Sequence, residues 1–227
     1  MKSAAAKARP YDEANAEPAK GCALCPRLVE FRTRNESAFP DYFNGPAPSF
    51  GPSSARLLII GLAPGLHGAN KTGRPFTGDY AGDLLYATLG KFGFARGEYA
   101  ARPDDGLHLV DAMISNAVRC VPPENKPTTA EIKTCRSFLR GRIAALPGLR
   151  SILCLGRIAH DSTLAALGLK AKDAPFAHGA AHNVAEGLVL FDSYHCSRYN
   201  TNTGRLTEAM FEEVFQAVRR RHEGASA

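Results

Sequence analysis

Asp79, Asn116 and His195 supply a carboxylate, a carboxamide and an imidazole, each at the edge of an apolar run. Asp79 closes the stretch LLIIGLAPGLHGANKTGRPFTGD, which begins at Leu57 and turns from an apolar segment into Gly61-Leu62-Ala63-Pro64-Gly65. Gly61 and Gly65 allow close approach of a ligand to the backbone, and Pro64 fixes the loop without offering an N–H. A strand feeding such a loop is built to cradle something negative, with one carboxylate waiting at the far end. Asn116 falls near the end of HLVDAMISNAV, and His195 follows LVLFDS.

The six cysteines form a second set. Cys22 and Cys25 make a C-x2-C pair, and Cys120 and Cys135 follow with fourteen residues between them. Two thiolates at C-x2-C spacing can grip one metal centre, and a distant pair can complete four ligands. Spacing alone leaves zinc and an iron–sulfur cluster open. The wide second pair is unlike the paired knuckles of a zinc ribbon, which favours the cluster. Cys154, inside RSILCL, reads as a buried apolar thiol.

Four strand-and-helix units must position these residues. Arg56–Ile60 reads as a buried strand, followed by a helix over Asp79–Phe92. His108–Val118 reads as the second strand, and Thr128-Thr-Ala-Glu131 has the form of a capping box that opens a helix to about Ala145. Arg150–Leu155 and Gly156–Leu167 form the third unit. Leu188–Ser193 is the fourth strand, and Leu206, Met210, Phe211, Val214, Phe215 and Val218 share one face of the last helix. The alternation predicts an α/β fold, a three-layer α/β/α sandwich around a central, mainly parallel four-stranded sheet. Ligands of such sheets sit outside the carboxyl ends of the strands. One mouth would then collect the Gly61–Gly65 loop, Asn116 and His195.

The whole chain sets the bounds. Its 227 residues are 44% apolar and 22% charged, the balance of a globular protein with one core. No apolar run approaches the roughly 20 residues that cross a membrane. Residues 1–20 mix Ala, Lys and acids without an apolar signal core, which predicts a flexible tail followed by one domain over 21–227 in a cytoplasmic, monomeric protein. The net charge of +6 is compatible with a polyanionic partner.

Taken in order, GLAPG, GANKTGRPFTGD, SNAVRCVPPENKPT and HCSRYNTNTGRLT resemble the motifs of family 5, or b-type, uracil-DNA glycosylases. The four-cysteine pattern resembles the cluster ligands of families 4 and 5, and the resemblance runs from Cys22 to about Phe215. It implies a monofunctional enzyme of DNA repair that flips a deaminated base from DNA and hydrolyses its N-glycosidic bond. Uracil is the implied substrate, with hypoxanthine and xanthine beside it. The resemblance also implies a structural [4Fe-4S] cluster held by Cys22, Cys25, Cys120 and Cys135.

Two departures from the pattern stand out. Family 4 relatives place an acid second in the first motif, where this chain has Leu62, in agreement with family 5. The third motif of the family usually reads His-Pro-Ser, and here it is His195-Cys196-Ser197. Loss of the proline frees a backbone dihedral and adds a thiol, so the loop that follows is expected to differ in shape.

Base excision gives these residues roles. The sugar becomes oxocarbenium-like, so a negative group is needed near it. Asp79 can stabilise that cation or handle the attacking water, and it also fits a helix N-cap. His195 can donate to a carbonyl oxygen of the leaving base. Asn116 can pair with the polar edge of the flipped base, Phe76 can stack on its face, and the backbone around Leu62 and Ala63 can contact it. Arg198, Tyr199 and Arg205 belong to a loop that can enter the minor groove, with Arg198 or Tyr199 filling the gap left by the flipped nucleotide. Lys71, Arg74 and Lys126 are candidate phosphate contacts. Two other classes fit less of the sequence: a metal-stapled nucleic-acid-binding module without catalysis, and a hydrolase using Ser197 and His195, which lacks a G-x-S-x-G elbow.

Overall fold

Five consecutive buried residues, Leu57–Gly61, fit a strand covered on both faces. They form the central strand β1 in the computed structural model, which describes residues 16–224. The helix α1 (Pro26–Ala38) precedes β1, and α2 (Ala69–Thr72), α3 (Tyr80–Lys91), β2 (Ala95–Arg96), β3 (His108–Leu109) and β4 (Ala112–Asn116) follow it. Next come α4 (Thr129–Ala144), β5 (Ser151–Leu155), α5 (Arg157–Leu167) and β6 (Ala181–Ala185). The order ends with β7 (Leu188–Ser193), α6 (Arg198–Asn202) and α7 (Glu208–Glu223).

The main sheet runs β4-β1-β5-β7-β6, with β6 antiparallel to β7 and the other neighbours parallel. Alternate residues of each strand face opposite layers. Leu57, Ile59, Ile114, Leu153 and Phe191 pack against Leu85 and Leu89 of α3 and Phe211 and Phe215 of α7. Leu58, Ile60, Met113, Ile152 and Leu190 pack against Leu139 of α4 and Leu164 of α5. This is the expected α/β/α sandwich with one correction: the sheet has five strands, not four. The fifth, β6, alternates between exposed and half-buried along Ala181–Ala185 and so shows no apolar run. It is an edge strand, folded back on β7.

A second correction concerns the expected strand over His108–Val118. It breaks at Asp111, whose φ of 56° lies in the left-handed region. The carboxylate of Asp111 accepts the backbone N–H of Arg56 at 3.1 Å and binds its guanidinium. The residues before the break leave the main sheet, and β3 pairs antiparallel with β2.

The helix α4 starts as the sequence predicts, with Thr128 and Glu131 forming a complete capping box. Thr207 caps α7, so Leu206, although fully buried, lies before that helix. Most of the expected tail, residues 1–15, falls outside the described residues. Beyond it, Ala16 is buried and Glu17 pairs with Arg119 and, at 2.6 Å, with Arg142. Among the described residues, no helix is long and apolar enough to cross a membrane.

Candidate active site

The register of β1 against β4 pairs Gly61 with Asn116, which brings two of the expected residues to one level at the carboxyl edge of the sheet. A Cβ added at Gly61 would stand 2.5 Å from Asn116 Oδ1 and 2.6 Å from the Phe76 ring. Any larger residue there would have to displace one of the two side chains. Above them opens a cavity of about 400 Å³. Leu62, Ala63, Pro64 and Gly65 form one wall of it, with Phe76 and Asp79 from the next loop and Asn116 on the floor. His195 and Arg198, which follow β7, also line it.

Asp79 caps α3, its Oδ1 accepting the Gly82 N–H at 3.1 Å. The N-cap reading of this residue holds, and the same side chain lines the cavity. The residue is exposed at the mouth of the cavity, and partial desolvation by its surroundings raises the carboxylate's pKa above the usual value.

His195 stacks beside Phe76, with ring centroids 5.9 Å apart and planes 27° from parallel. Desolvation lowers its pKa to about 4, so the imidazole is neutral at physiological pH and presents one N–H and one lone pair. Neither ring nitrogen of His195 nor the amide of Asn116 has a hydrogen-bond partner among the described residues, which leaves both free for a ligand. The strand end carrying His195 is tied down: Asn200 Nδ2 donates to the His195 carbonyl at 2.8 Å, and Cys196 Sγ donates to the Ala81 carbonyl at 3.4 Å.

A family model described as "Uracil DNA glycosylase superfamily" matches residues 48–219. The chain belongs to the uracil-DNA glycosylase superfamily. Within it, the type-5 branch is the one shared. The chain is 44% identical over 213 residues to a type-5 uracil-DNA glycosylase of Thermus thermophilus, covering 92% of this chain and 97% of the relative. It is 40% identical to a type-5 uracil-DNA glycosylase of Pyrobaculum aerophilum, over 86% of both chains. A type-5 relative from Mycobacterium leprae is also 40% identical, over 88% of this chain and 90% of its own.

In this glycosylase fold, not every expected residue reaches the cavity. Arg198 does, with its guanidinium 5.3 Å from the Tyr80 ring centroid. Tyr199 does not line the cavity and is 72% exposed on α6. Arg205 lies 4.7 Å from the Tyr194 ring centroid, also outside the cavity wall. Arg74 is buried, paired with Asp105 at 2.7 Å, and so is withdrawn from any phosphate. Lys71 and Lys126 remain exposed.

Sequence reasoning missed Asn125 and Tyr80, which line the cavity; Ser197, singled out only as the nucleophile of the alternative hydrolase, lines it too. Asn125 has a left-handed φ of 56°. An Asn between Pro-Pro-Glu and Lys-Pro, in a motif already marked by Asn116, was the available signal.

The four paired cysteines line a second, smaller cavity with Leu28 and Phe138. They are free thiols, and burial pushes Cys120 up to about 11 and Cys135 up to about 12. Arg32 Nη1 lies 3.9 Å from Cys120 Sγ, and the Arg119 backbone N–H donates to Cys135 Sγ at 3.3 Å. Among the described residues, no three Cys, His, Asp or Glu side chains are gathered closely enough to hold a metal ion as they stand. The chemistry of the donor set nevertheless fits a thiolate-bound centre: four thiols line one cavity, with N–H donors at two sulfurs. Ala63 packs against this cluster and also lines the active-site cavity, so the two are contiguous. Cys154 is a buried thiol donating to Thr163 at 3.4 Å, as its sequence context predicts.

Proposed function

We propose that the Asn116–His195 cavity takes one deaminated base flipped from DNA, and that Asp79 serves the sugar left behind. The protein is a monofunctional uracil-DNA glycosylase, a hydrolase of DNA repair that leaves an abasic site. Uracil is the first substrate, and hypoxanthine and xanthine are further ones. The observation that supports this reading best is the convergence of Asp79, Asn116, Phe76 and His195 on one cavity.

As the N-glycosidic bond stretches, negative charge gathers on the base and positive charge on the sugar. Asn116 pairs with the base edge through its unpartnered amide, and Phe76 covers the base face. His195, neutral because of its lowered pKa, donates an N–H to the carbonyl oxygen on which charge develops. Asp79 uses the carboxylate oxygen that does not cap α3 to stabilise the cationic sugar and to receive the proton of the attacking water. The backbone of Gly61, Leu62, Ala63 and Gly65, with Pro64 as a brace, contacts the base and the neighbouring phosphate. Arg198 and Arg205 hold the phosphate backbone, and the exposed Tyr199 ring fills the gap in the stack. The protein acts on DNA as a cytoplasmic monomer, with a single glycosylase domain after its first twenty residues.

Cys22, Cys25, Cys120 and Cys135 would hold a [4Fe-4S] cluster. When bound, that cluster supplies structural cross-linking of the N-terminal segment to the loop after β4 and to α4. The experiment that tests the function is incubation with end-labelled duplexes carrying one uracil or one hypoxanthine, followed by hot alkali. Cleavage at the lesion that needs alkali supports it. No abasic product from either duplex would refute it.

A further inference from the structure

Phe76 holds a φ of 54°, a left-handed conformation unusual for a bulky side chain, at a wall of the active-site cavity. Such a residue is strained and persists only where its surroundings over-determine it. What over-determines it lies behind the cavity. The buried Arg74 guanidinium binds Asp105 through two hydrogen bonds of 2.8 and 2.7 Å, and its Nε donates to Thr77 Oγ1 at 2.7 Å. It also lies 5.2, 5.4 and 5.6 Å from the ring centroids of Phe50, Tyr86 and Tyr99.

The tyrosines carry this cage to the neighbouring backbone. Tyr86 Oη donates to the Pro75 carbonyl at 2.7 Å. Tyr99 Oη donates to the Phe76 carbonyl at 3.2 Å and accepts the Gly78 N–H at 3.3 Å. The two rings stack with centroids 4.6 Å apart. None of Arg74, Tyr86, Tyr99 and Asp105 lines the active-site cavity, so they act on it only through the segment they hold.

We propose that the Arg74–Asp105 ion pair and the Tyr86–Tyr99 ring pair are a positioning scaffold that sets the Phe76–Asp79 segment for base excision. The inference rests on the catalytic reading of Asp79. Asp105 comes from the connection between β2 and β3, which gives that small hairpin a part in the reaction although it lies outside the main sheet. Misplacing a reacting group by about 1 Å can cost 10²-fold in rate.

Tyr99→Phe tests the scaffold, because it removes the hydroxyl bridge between residues 76 and 78 and keeps the stacked ring. Single-turnover excision from a uracil duplex is measured in native and Asp79→Asn backgrounds, together with binding of an abasic-site duplex. The expected result is a loss of about tenfold in rate with abasic-site binding within about twofold of native. That loss shrinks or vanishes in the Asp79→Asn background, since the two substitutions act on the same step. A native rate for Tyr99→Phe, or an undiminished loss in both backgrounds, overturns the scaffold. A native rate for Asp79→Asn alone overturns the reading of Asp79 beneath it, whatever Tyr99→Phe does.

Discussion

The carboxylate of Asp79 is divided between two neighbourhoods: Oδ1 accepts the Gly82 N–H at 3.1 Å, while Oδ2 packs beside Gly65 and Gly68, where neither glycine has a Cβ to meet it. Cap and chemistry can be separated by substitution. Asparagine caps helices about as well as aspartate but carries no charge. Asp79→Asn is expected to melt close to the native protein and to lose about 10²-fold or more in single-turnover excision. Asp79→Ala loses the charge and also the cap, for a further cost of about 1 kcal/mol, or about 2–4 °C in melting temperature. Thermal melts beside rapid-quench assays check both halves.

The pH dependence follows from the two shifted groups. On the proposed roles, excision needs Asp79 ionised and His195 neutral. Protonation of Asp79 removes the anion, and because its pKa is raised, this happens at higher pH than for an ordinary aspartate. His195 gains its proton only around pH 4. The rate is expected to be flat through neutrality and to fall on the acid side, with no inflection at the ordinary histidine value of 6.5. An inflection near 6.5 that disappears in His195→Gln would show that the imidazole works in the wrong protonation state for this account.

Gly61→Ala is a test of the cavity floor. The added methyl meets Asn116 Oδ1 and the Phe76 ring, both side chains able to shift, and no strained φ is involved. Overpacking of this kind costs about 1–3 kcal/mol, which a domain of this size survives. Excision is expected to fall far more than stability. Equal excision rates for Gly61→Ala and native protein would place the base elsewhere.

The cysteines give a spectroscopic prediction. Replacing Cys22 or Cys135 with Ala is expected to abolish iron–sulfur absorbance and bound iron and to lower the melting temperature. Cys154→Ala is expected to keep the absorbance, because that thiol lies in β5 against Thr163. An unchanged spectrum and melting curve for both Cys22→Ala and Cys135→Ala would remove them as ligands.

The parts of the molecule that were legible in the sequence are those set by local pattern. Buried strands such as Leu57–Gly61 and Leu188–Ser193 show as apolar runs, and Thr128 with Glu131 shows as a capping box. Strand ends then gather Gly61, Asn116 and His195 because parallel strands share a direction. The parts that were not legible depend on partners distant in the chain. Arg74 reads like any surface arginine until Asp105, thirty-one residues on, buries it. The edge strand β6 exists through pairing with β7 rather than through its own pattern. Asp111 looks like a strand residue, yet Arg56 holds it in a left-handed turn that ends one strand and starts another.

The most direct measurement is single-turnover incubation of the protein with a duplex bearing one uracil, with and without hot alkali, beside Asp79→Asn. Strand cleavage at the uracil only after alkali, lost or strongly slowed in Asp79→Asn, is the predicted result. Cleavage without alkali would contradict the monofunctional mechanism, and no abasic product from the native protein would contradict the function itself.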